Sequence, residues 1–514
     1  MRGIARVRLP ARQHGAALLI LLALVSVALT YAVVAGLNRS AAGMAQERAQ
    51  KTTTALAQAK EALIAYAVTY ADDPSHAKRI PGYLPCPEIA AEIGKEGVAK
   101  SPSCDGPLVS QLGRLPWRTL GLGPVTDGSG ECLWYAVSGT YKSWFNGVTT
   151  DTATSNMMNW DTNGQFEVRA GDGTTYLAGP AAGNRAVAVI FAPGSALSGQ
   201  NRTPDANAPL CAGNYTAANY LETAAGVNNS VVSTTANALD AFIAGAKSDR
   251  FNDQLVYITR ADIWSAVKKR SDFNNHLRAL TRRAAECTAK YGTHNGPGKD
   301  KLLPWASRVS LSTTSIPTYA VDSRYDDRDD LMSGRLSYKV KTSGAKTNND
   351  LRSYDDNYYL FSLTSYCSYT SDQQVWYENW KDQLFYAVAK NFRPATSRQQ
   401  AGDCPSCLRI NASATYYAAV VIFAGEKLSG QSRNTAGDKG SIANYLEAPN
   451  STNVLADTGS GNYQAAATSS SFNDIVYAID GNLEVKCYNG STMVSVPAAT
   501  AAPPADPAAY AACP

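Results

Sequence analysis

The chain has 514 residues, only 18% of them charged, and a net charge of +4 at pH 7, which leaves no electrostatic case for nucleic acid as a partner. The 28 tyrosines outnumber phenylalanine (11) and tryptophan (8) together, and Thr, Ser, Asn and Gly are abundant. That composition favours strands joined by Asn/Gly/Ser turns under a hydrogen-bonding, weakly charged surface, and the length allows two or three domains.

In chain order, the first feature is a short basic leader, residues 1–15, with Arg2, Arg6, Arg8 and Arg12 and no acid. Residues 16–37 follow without a single charge. At about 1.5 Å per residue, that run covers the roughly 30 Å apolar core of a bilayer, and it exceeds the about 7–15 residues usual for a cleavable signal. The basic leader predicts a cytoplasmic N-terminus and a single pass, with the remaining chain across the membrane. Residues 38–71 lack proline, lack glycine after Gly43, and are rich in Ala, Gln, Glu and Lys. Leu56, Ala59, Leu63, Tyr66/Ala67 and Tyr70 recur at three- and four-residue steps, which predicts one apolar stripe on a helix continuous with the membrane segment, about 84 Å long in all.

The junction Arg12-Gln13-His14-Gly15-Ala16, a basic leader ending in glycine directly before the hydrophobic run, resembles the processing site of type IV prepilins and type II secretion pseudopilins. The resemblance covers about the first 70 residues. It implies that a prepilin peptidase cuts between Gly15 and Ala16 on the cytoplasmic side and methylates Ala16. It also implies that the apolar helix is retained in the bacterial inner membrane, packing against the helices of other pilins, with the head in the periplasm or, in a pilus, at the cell surface. The glutamate usual in the family falls at Ile20. Minor members such as the K-type pseudopilins share that departure, so the resemblance implies a rare or tip subunit rather than a bulk one.

Beyond the helix the chain repeats itself. "VIFAPGSALSGQNR" (Val189–Arg202) returns as "VIFAGEKLSGQSR" (Val421–Arg433), "ANYLE" occurs at Ala218–Glu222 and Ala443–Glu447, "FNDQLVY" (Phe251–Tyr257) matches "FNDIVY" (Phe472–Tyr477), and "ECLWYAV" (Glu131–Val137) pairs with "DQLFYAV" (Asp382–Val388). Four blocks in one order indicate duplication, with head units over 72–260 and 261–482 and a tail over 483–514. Upstream, "YLPCP" (Tyr83–Pro87) and "LLPWA" (Leu302–Ala306) each follow a helical stretch, the second predicted over about Asp262–Tyr291 with Ile263, Val267, Leu277, Leu280, Ala284 and Cys287 apolar. Each unit therefore reads as a helix, a proline loop and an antiparallel sheet, an α+β plan that is also the pilin headgroup plan. "AVAVIFA" and "AAVVIFA" read as strands buried on both faces, "LSGQ" as a strand-exit turn, and "FND" as a core plug followed by a turn or cap.

Ten cysteines on the oxidising side of a membrane predict disulfides. Proximity suggests Cys86–Cys104, Cys404–Cys407 and Cys487–Cys513, with Cys132, Cys211, Cys287 and Cys367 pairing over longer range. Outside the leader, His76, His276 and His294 are far apart, and no hydrolase elbow, zincin motif, phosphate loop or dinucleotide motif is present, so a non-enzymatic role is expected. No cofactor motif is complete. The nearest is "NWDTNGQFE", where Asn159, Asp161, Asn163, Gly164 and Glu167 have the spacing of a calcium loop, although its closing glutamate falls at Ala170. An ordinary Asn-Gly turn accounts for the same residues. The run "DSRYDDRDD" (Asp322–Asp330) reads as a solvated loop, and the Pro/Ala-rich end from Val496 as extended or disordered. The competing reading is a stand-alone single-pass envelope protein whose duplicated head binds carbohydrate or peptide.

Overall fold

The computed structural model describes residues 14–76, 79–90, 92–101, 104–142, 157–294, 301–311, 319–327, 331–340, 358–359, 367, 371–394, 407–497 and 507–513, with the side chains of the first helix described from residue 42. The first helix, α1 (His14–Thr69), is one continuous run of 56 residues. Its residues 42–51 are all exposed, whereas Ala55, Leu56, Ala59, Leu63, Ala67 and Tyr70 are buried, the stripe that the three- and four-residue steps predict. Among the described residues no helix is long and apolar enough to cross a membrane. The side chains of 16–37 lie outside the described residues.

The mixed α+β architecture consists of two sheets with matching plans. The first contains β1 (Gln111–Arg114), β2 (Trp134–Val137), β3 (Phe166–Ala170), β4 (Tyr176–Ala178) and β5 (Ala186–Ala192). After a two-residue-per-strand hairpin, β6 (Thr223–Ala224) and β7 (Val227–Asn228), come β8 (Asp240–Ala244) and β9 (Gln254–Thr259). The antiparallel order β1-β2-β5-β9 is its body, and β3 pairs in parallel with β8 at the side. Two helices follow, α2 (Arg260–Val267) and α3 (Phe273–His294).

The second sheet begins at β10 (Ser333–Arg335). A small separate pair, β11 (Lys339–Val340) and β12 (Tyr358–Tyr359), and α4 (Ser371–Trp380) come next, then β13 (Leu384–Val388), β14 (Leu408–Ile410) and β15 (Tyr417–Phe423). Short helices α5 (Ala436–Lys439) and α6 (Asn450–Ala456) precede β16 (Gly461–Tyr463), β17 (Ile475–Asp480), β18 (Val485–Tyr488) and β19 (Met493–Ser495), and α7 (Pro507–Ala511) ends the described chain. Its body, β10-β13-β15-β17, repeats the first order, and β14 pairs in parallel with β16 as β3 does with β8. Register repeats as well: Val189 faces Tyr257 and Val421 faces Tyr477, while Gly113 faces Tyr135 and Gly334 faces Tyr386.

Every residue of β5 and β15 is buried. α1 lies on β5 and β9, and α3 lies on β15 and β17 in the equivalent place. The two helix-covered faces share one apolar core running from Leu56 and Leu63 to Ile422 and Ile479. The opposite face of the first sheet has a separate core, where Trp134, Val189 and Phe191 are capped by Tyr220 and Leu221 of the "ANYLE" loop. The proline loops are also equivalent: Tyr135 donates its hydroxyl to Pro85 O at 3.2 Å and Tyr386 donates to Pro304 O at 3.0 Å.

Three expectations are corrected. The single helix expected over 262–291 is two, broken at 268–272, where Arg270 is drawn aside by Asp72 (2.6 Å) and Asp272 (2.7 Å). The expected tail over 483–514 begins with two strands of the second sheet, β18 and β19, and its described end is ordered. Tyr510 is buried against α3 with Arg282 stacked 4.3 Å over its ring, and Cys513 is bonded to Cys487. Within the acidic run, Asp322 and Asp327 are buried, and Asp322 is ion-paired to buried Lys381. A lysine distant in sequence supplies the counter-charge that makes this burial tolerable. The other described disulfides are Cys86–Cys104, Cys132–Cys211 and Cys287–Cys367. Cys407 is disulfide-bonded, and Cys404 lies outside the described residues.

Close backbone approach explains one repeated glycine. A Cβ on Gly113 would sit 2.4 Å from Glu88 O, and one on Gly334 would sit 2.0 Å from Ser307 O. Replacing Gly334 by alanine is expected to destabilise the protein by about 1–3 kcal/mol or more through overpacking. Gly123→Ala, where an added Cβ meets nothing within 4 Å, should change stability by no more than about 0.5 kcal/mol. Urea midpoints of the two variants measure the difference.

Candidate functional site

The four repeated blocks meet in space, once in each unit. In the first, the strand-exit turn after β5 brings Gln200 to Glu222, Nε2 to Oε1 at 2.7 Å. The other oxygen of Glu222 accepts from the backbone N–H groups of Asn252 (2.9 Å) and Asp253 (3.2 Å), and Asp253 Oδ2 accepts from Glu222 N (2.9 Å) and Asn229 Nδ2 (3.0 Å). In the second unit Gln431 donates to Glu447 (3.2 Å), Asn473 N donates to Glu447 (3.1 Å), and Asn450 Nδ2 donates to Asp474 (2.9 Å). Each unit thus ties its "LSGQ", "ANYLE" and "FND" segments together around two neighbouring carboxyls, of which Glu222, Asp253 and Asp474 are buried and Glu447 half-buried. Burial, then the adjacent Glu222 charge, pushes the Asp253 pKa up to about 8, and burial with Glu447 pushes Asp474 well above the ordinary range. The Asn-Asp repeat is therefore part of a structural knot, with Phe251 and Phe472 buried beside it.

The arginine ending each "SGQ-Xaa-Arg" block is also duplicated. Arg202 donates to Asn219 O (2.8 Å), Gly194 O (2.8 Å) and Gln200 (2.7 Å), and Arg433 donates to Asn444 O (2.5 Å), Gly425 O (2.9 Å) and Gln431 (3.5 Å). The guanidinium groups stack over Tyr220 and Tyr445 at 4.6 and 4.3 Å. Their remaining partners differ. Arg202 pairs with Glu131 of its own unit (3.1 Å), whereas Arg433 reaches across to Asp161 of the first unit (3.3 Å).

That crossing is the seam between the units, and it contains most of the residues expected to form a calcium loop. Asn159 Nδ2 donates to Asn379 O (2.8 Å), Asp161 Oδ2 accepts from Gln383 (2.7 Å), and Asn163 Nδ2 donates to Asn434 O (3.0 Å) while its Oδ1 accepts from Arg260 (2.8 Å). Burial raises the Asp161 pKa, but Arg433, Lys439 and Arg260 outweigh it and hold the carboxyl below its ordinary value. Glu167 is apart from these, on β3, paired with Arg169 at 3.0 Å, and Ala170 ends the same strand. The oxygens expected to converge on a cation instead face guanidinium and amide donors. Among the described residues no group of three or more His, Cys, Asp or Glu is gathered for a metal.

Beside this lock, aromatic rings of both units interleave, with Trp160 edge-on to Trp380 at 4.6 Å and Trp264 at 5.7 Å from Trp380. Between lock and solvent is a cleft of about 200 Å³, lined by Leu108, Asp161, Arg185 and Leu239 of the first unit and by Asn434 and Lys439 of the second, among others. His76 stacks on Tyr70 (4.0 Å) and His276 on Trp376 (4.5 Å), in separate places. The side chains of His294 and Ala16, and the surroundings of Gly15, lie outside the described residues.

The sequence reading missed Glu222 and Glu447 as partners of Asp253 and Asp474, although both glutamates stand inside a recognised repeat. It also missed buried Arg114 and Arg335, carried by a fifth block, Gly-Arg-Leu at 113–115 and 334–336. No family model, curated protein or solved structure matches the chain.

The carboxyl pairs predict a pH dependence of definite sign. Asp253 and Asp474 hold their protons in the folded state and release them near pH 4 when unfolded. Stability from each is greatest at the acid end of that window and is lost as pH rises, for Asp253 through about 8. The slope is about 1.4 kcal/mol per pH unit for each proton retained only by the folded state. Asp253→Asn should remove one such contribution, so urea midpoints from pH 5 to 8.5 should fall less steeply for the variant than for the parent.

Proposed function

We propose that the chain is a non-enzymatic minor pilin- or pseudopilin-like subunit of a type IV pilus or type II secretion system. Residues 16–37 anchor it in the bacterial inner membrane, and its duplicated head makes tip, adhesion or assembly contacts outside. The observation that carries this reading is the construction of α1. A single helix runs unbroken through residues 16–37 to Thr69, exposes residues 42–51, and then buries one stripe of its later turns under the head. A rod that is helical where its own head does not cover it suits packing against the rods of neighbouring subunits. The absence of charge from 16 to 37, and Ile20 in place of an acid, suit a member present in few copies. The duplicated, disulfide-braced head of tyrosine- and asparagine-rich composition suits exposure outside the cytoplasm.

Mass spectrometry of the protein from its native membrane tests the proposal. The expected mature chain lacks residues 1–15 and begins with N-methylated Ala16. Gly15→Leu, or loss of the peptidase, should leave the leader attached. A mature N-terminus at Met1, or a cut near Ala35, would exclude the filament role.

A further inference from the structure

The seam cleft carries more than the contacts that close it. Two polar atoms of its lining residues are buried without a hydrogen-bond partner, the carboxylate oxygen Oδ1 of Asp161 and the guanidinium Nε of Arg185. Asp161 as a whole is 3% exposed. Its Oδ2 is taken up by Gln383 and Arg433, so Oδ1 is a standing acceptor beside the cavity. Native interiors rarely leave such groups bare, and those that remain call for an occupant or a function. An anionic oxygen and a cationic N–H around one small cavity complement a molecule that itself carries both charges.

The rest of the wall narrows the class. Leu108, Met157 and Leu239 supply apolar surface, and Leu239 is 52% exposed. Among the described lining residues there is no aromatic ring to offer a sugar a stacking platform. At about 200 Å³, the space falls below the roughly 300–1,000 Å³ typical of drug-sized ligands and suits one small molecule. The backbone is held in an unusual form on the same wall. Leu108 (φ 63°) and Asn237 (φ 61°) both lie in the left-handed region and are joined by Asn237 N to Leu108 O at 2.9 Å. Such conformations persist where surrounding structure imposes them, commonly at ligand clamps.

We propose that the seam cleft binds a free α-amino acid with an apolar side chain. Arg185 takes the carboxylate, Asp161 takes the ammonium, and Leu108, Met157 and Leu239 receive the side chain. Both charged contacts are of the strong, charge-assisted kind. Asp161 Oδ1 and Arg185 Nε are closed to solvent, so entry requires the cleft to widen. Asn434 and Lys439 on the second unit make that movement one between units. The cleft is internal to the head, and the inference stands independently of membrane anchoring or filament assembly.

Isothermal titration calorimetry on the full chain in detergent provides the test, with L-leucine and L-methionine as probes. The controls are 4-methylpentanoate (no amine), isoamylamine (no carboxylate) and glucose. Leucine or methionine should bind, and each truncated analogue should bind about tenfold more weakly or worse, the loss of one charge-assisted contact. Arg185→Gln should abolish binding while keeping the parent melting temperature, and it keeps the test intact if Asp161→Asn does not fold. No heat from either amino acid up to about 10 mM, equal binding of 4-methylpentanoate and leucine, preference for glucose, or undiminished binding by Arg185→Gln would each overturn the assignment.

Discussion

The molecule depends on covering one face of an antiparallel sheet with a long helix. β5 and β15 are buried on both sides, so neither can exist as the middle of a sheet whose second face meets water. Leu56, Ala59, Leu63 and Ala67 of α1 cover the first sheet, and Leu277, Leu280 and Ala284 of α3 do the same for the second. Because the two covered faces share one core, each unit also shields the other. A single unit would leave part of that apolar surface bare, which explains why the repeat comes as a joined pair.

Within this frame the duplicated polar residues perform one local task and one that has diverged. Gln200 and Gln431, Glu222 and Glu447, and Asp253 and Asp474 pin the same three segments in both units, which accounts for their identity. The arginines of the same blocks show the divergence. Arg202 is neutralised at home by Glu131, whereas Arg433 uses Asp161 of the other unit. A buried guanidinium needs a counter-charge, and supplying it from the neighbour makes burial of Arg433 conditional on correct docking. The arginine of a duplicated block thus serves as an orientation device at the seam, while the aromatic cluster of Trp160, Trp264 and Trp380 supplies non-directional attraction there.

What could be read from the sequence was what is local and periodic. The α1 stripe follows from a 3.6-residue repeat, and the burial of β5 and β15 follows from uninterrupted apolar runs. The strand-exit turns followed from glycine, and Gly199 and Gly430 indeed take φ of 90° and 88°. Close cysteine pairs were suggested by proximity, while Cys132–Cys211 and Cys287–Cys367, 79 and 80 residues apart, were left open. What could not be read depends on partners far along the chain. The spacing of Asn159, Asp161 and Asn163 suggested converging oxygens, but their donors come from residues 379–434, and no local rule announces them. The break at 268–272 has no strong local signal either; Arg270 there pairs with Asp72, about two hundred residues upstream, as well as with Asp272.

The exposed stretch of α1 raises a question of energetics that bears on the whole design. Helices in water draw most of their stability from burying one face, and segments without tertiary cover are marginal. Residues 42–51 are all exposed, and they contain Gly43, the least favourable helix residue except proline. Continuity with the packed turns after Thr52 removes the nucleation cost, and Ala, Gln, Glu and Lys supply propensity. Neither source rewards a helix that goes on for about ten turns before its head, from His14 to Thr52. For the exposed turns 42–51, cover from outside the head would supply the stabilisation that propensity alone does not. The small residues Ala42, Gly43 and Ala45 leave the backbone there open to close approach, which is what the proposed packing of α1 against the helix of another subunit requires.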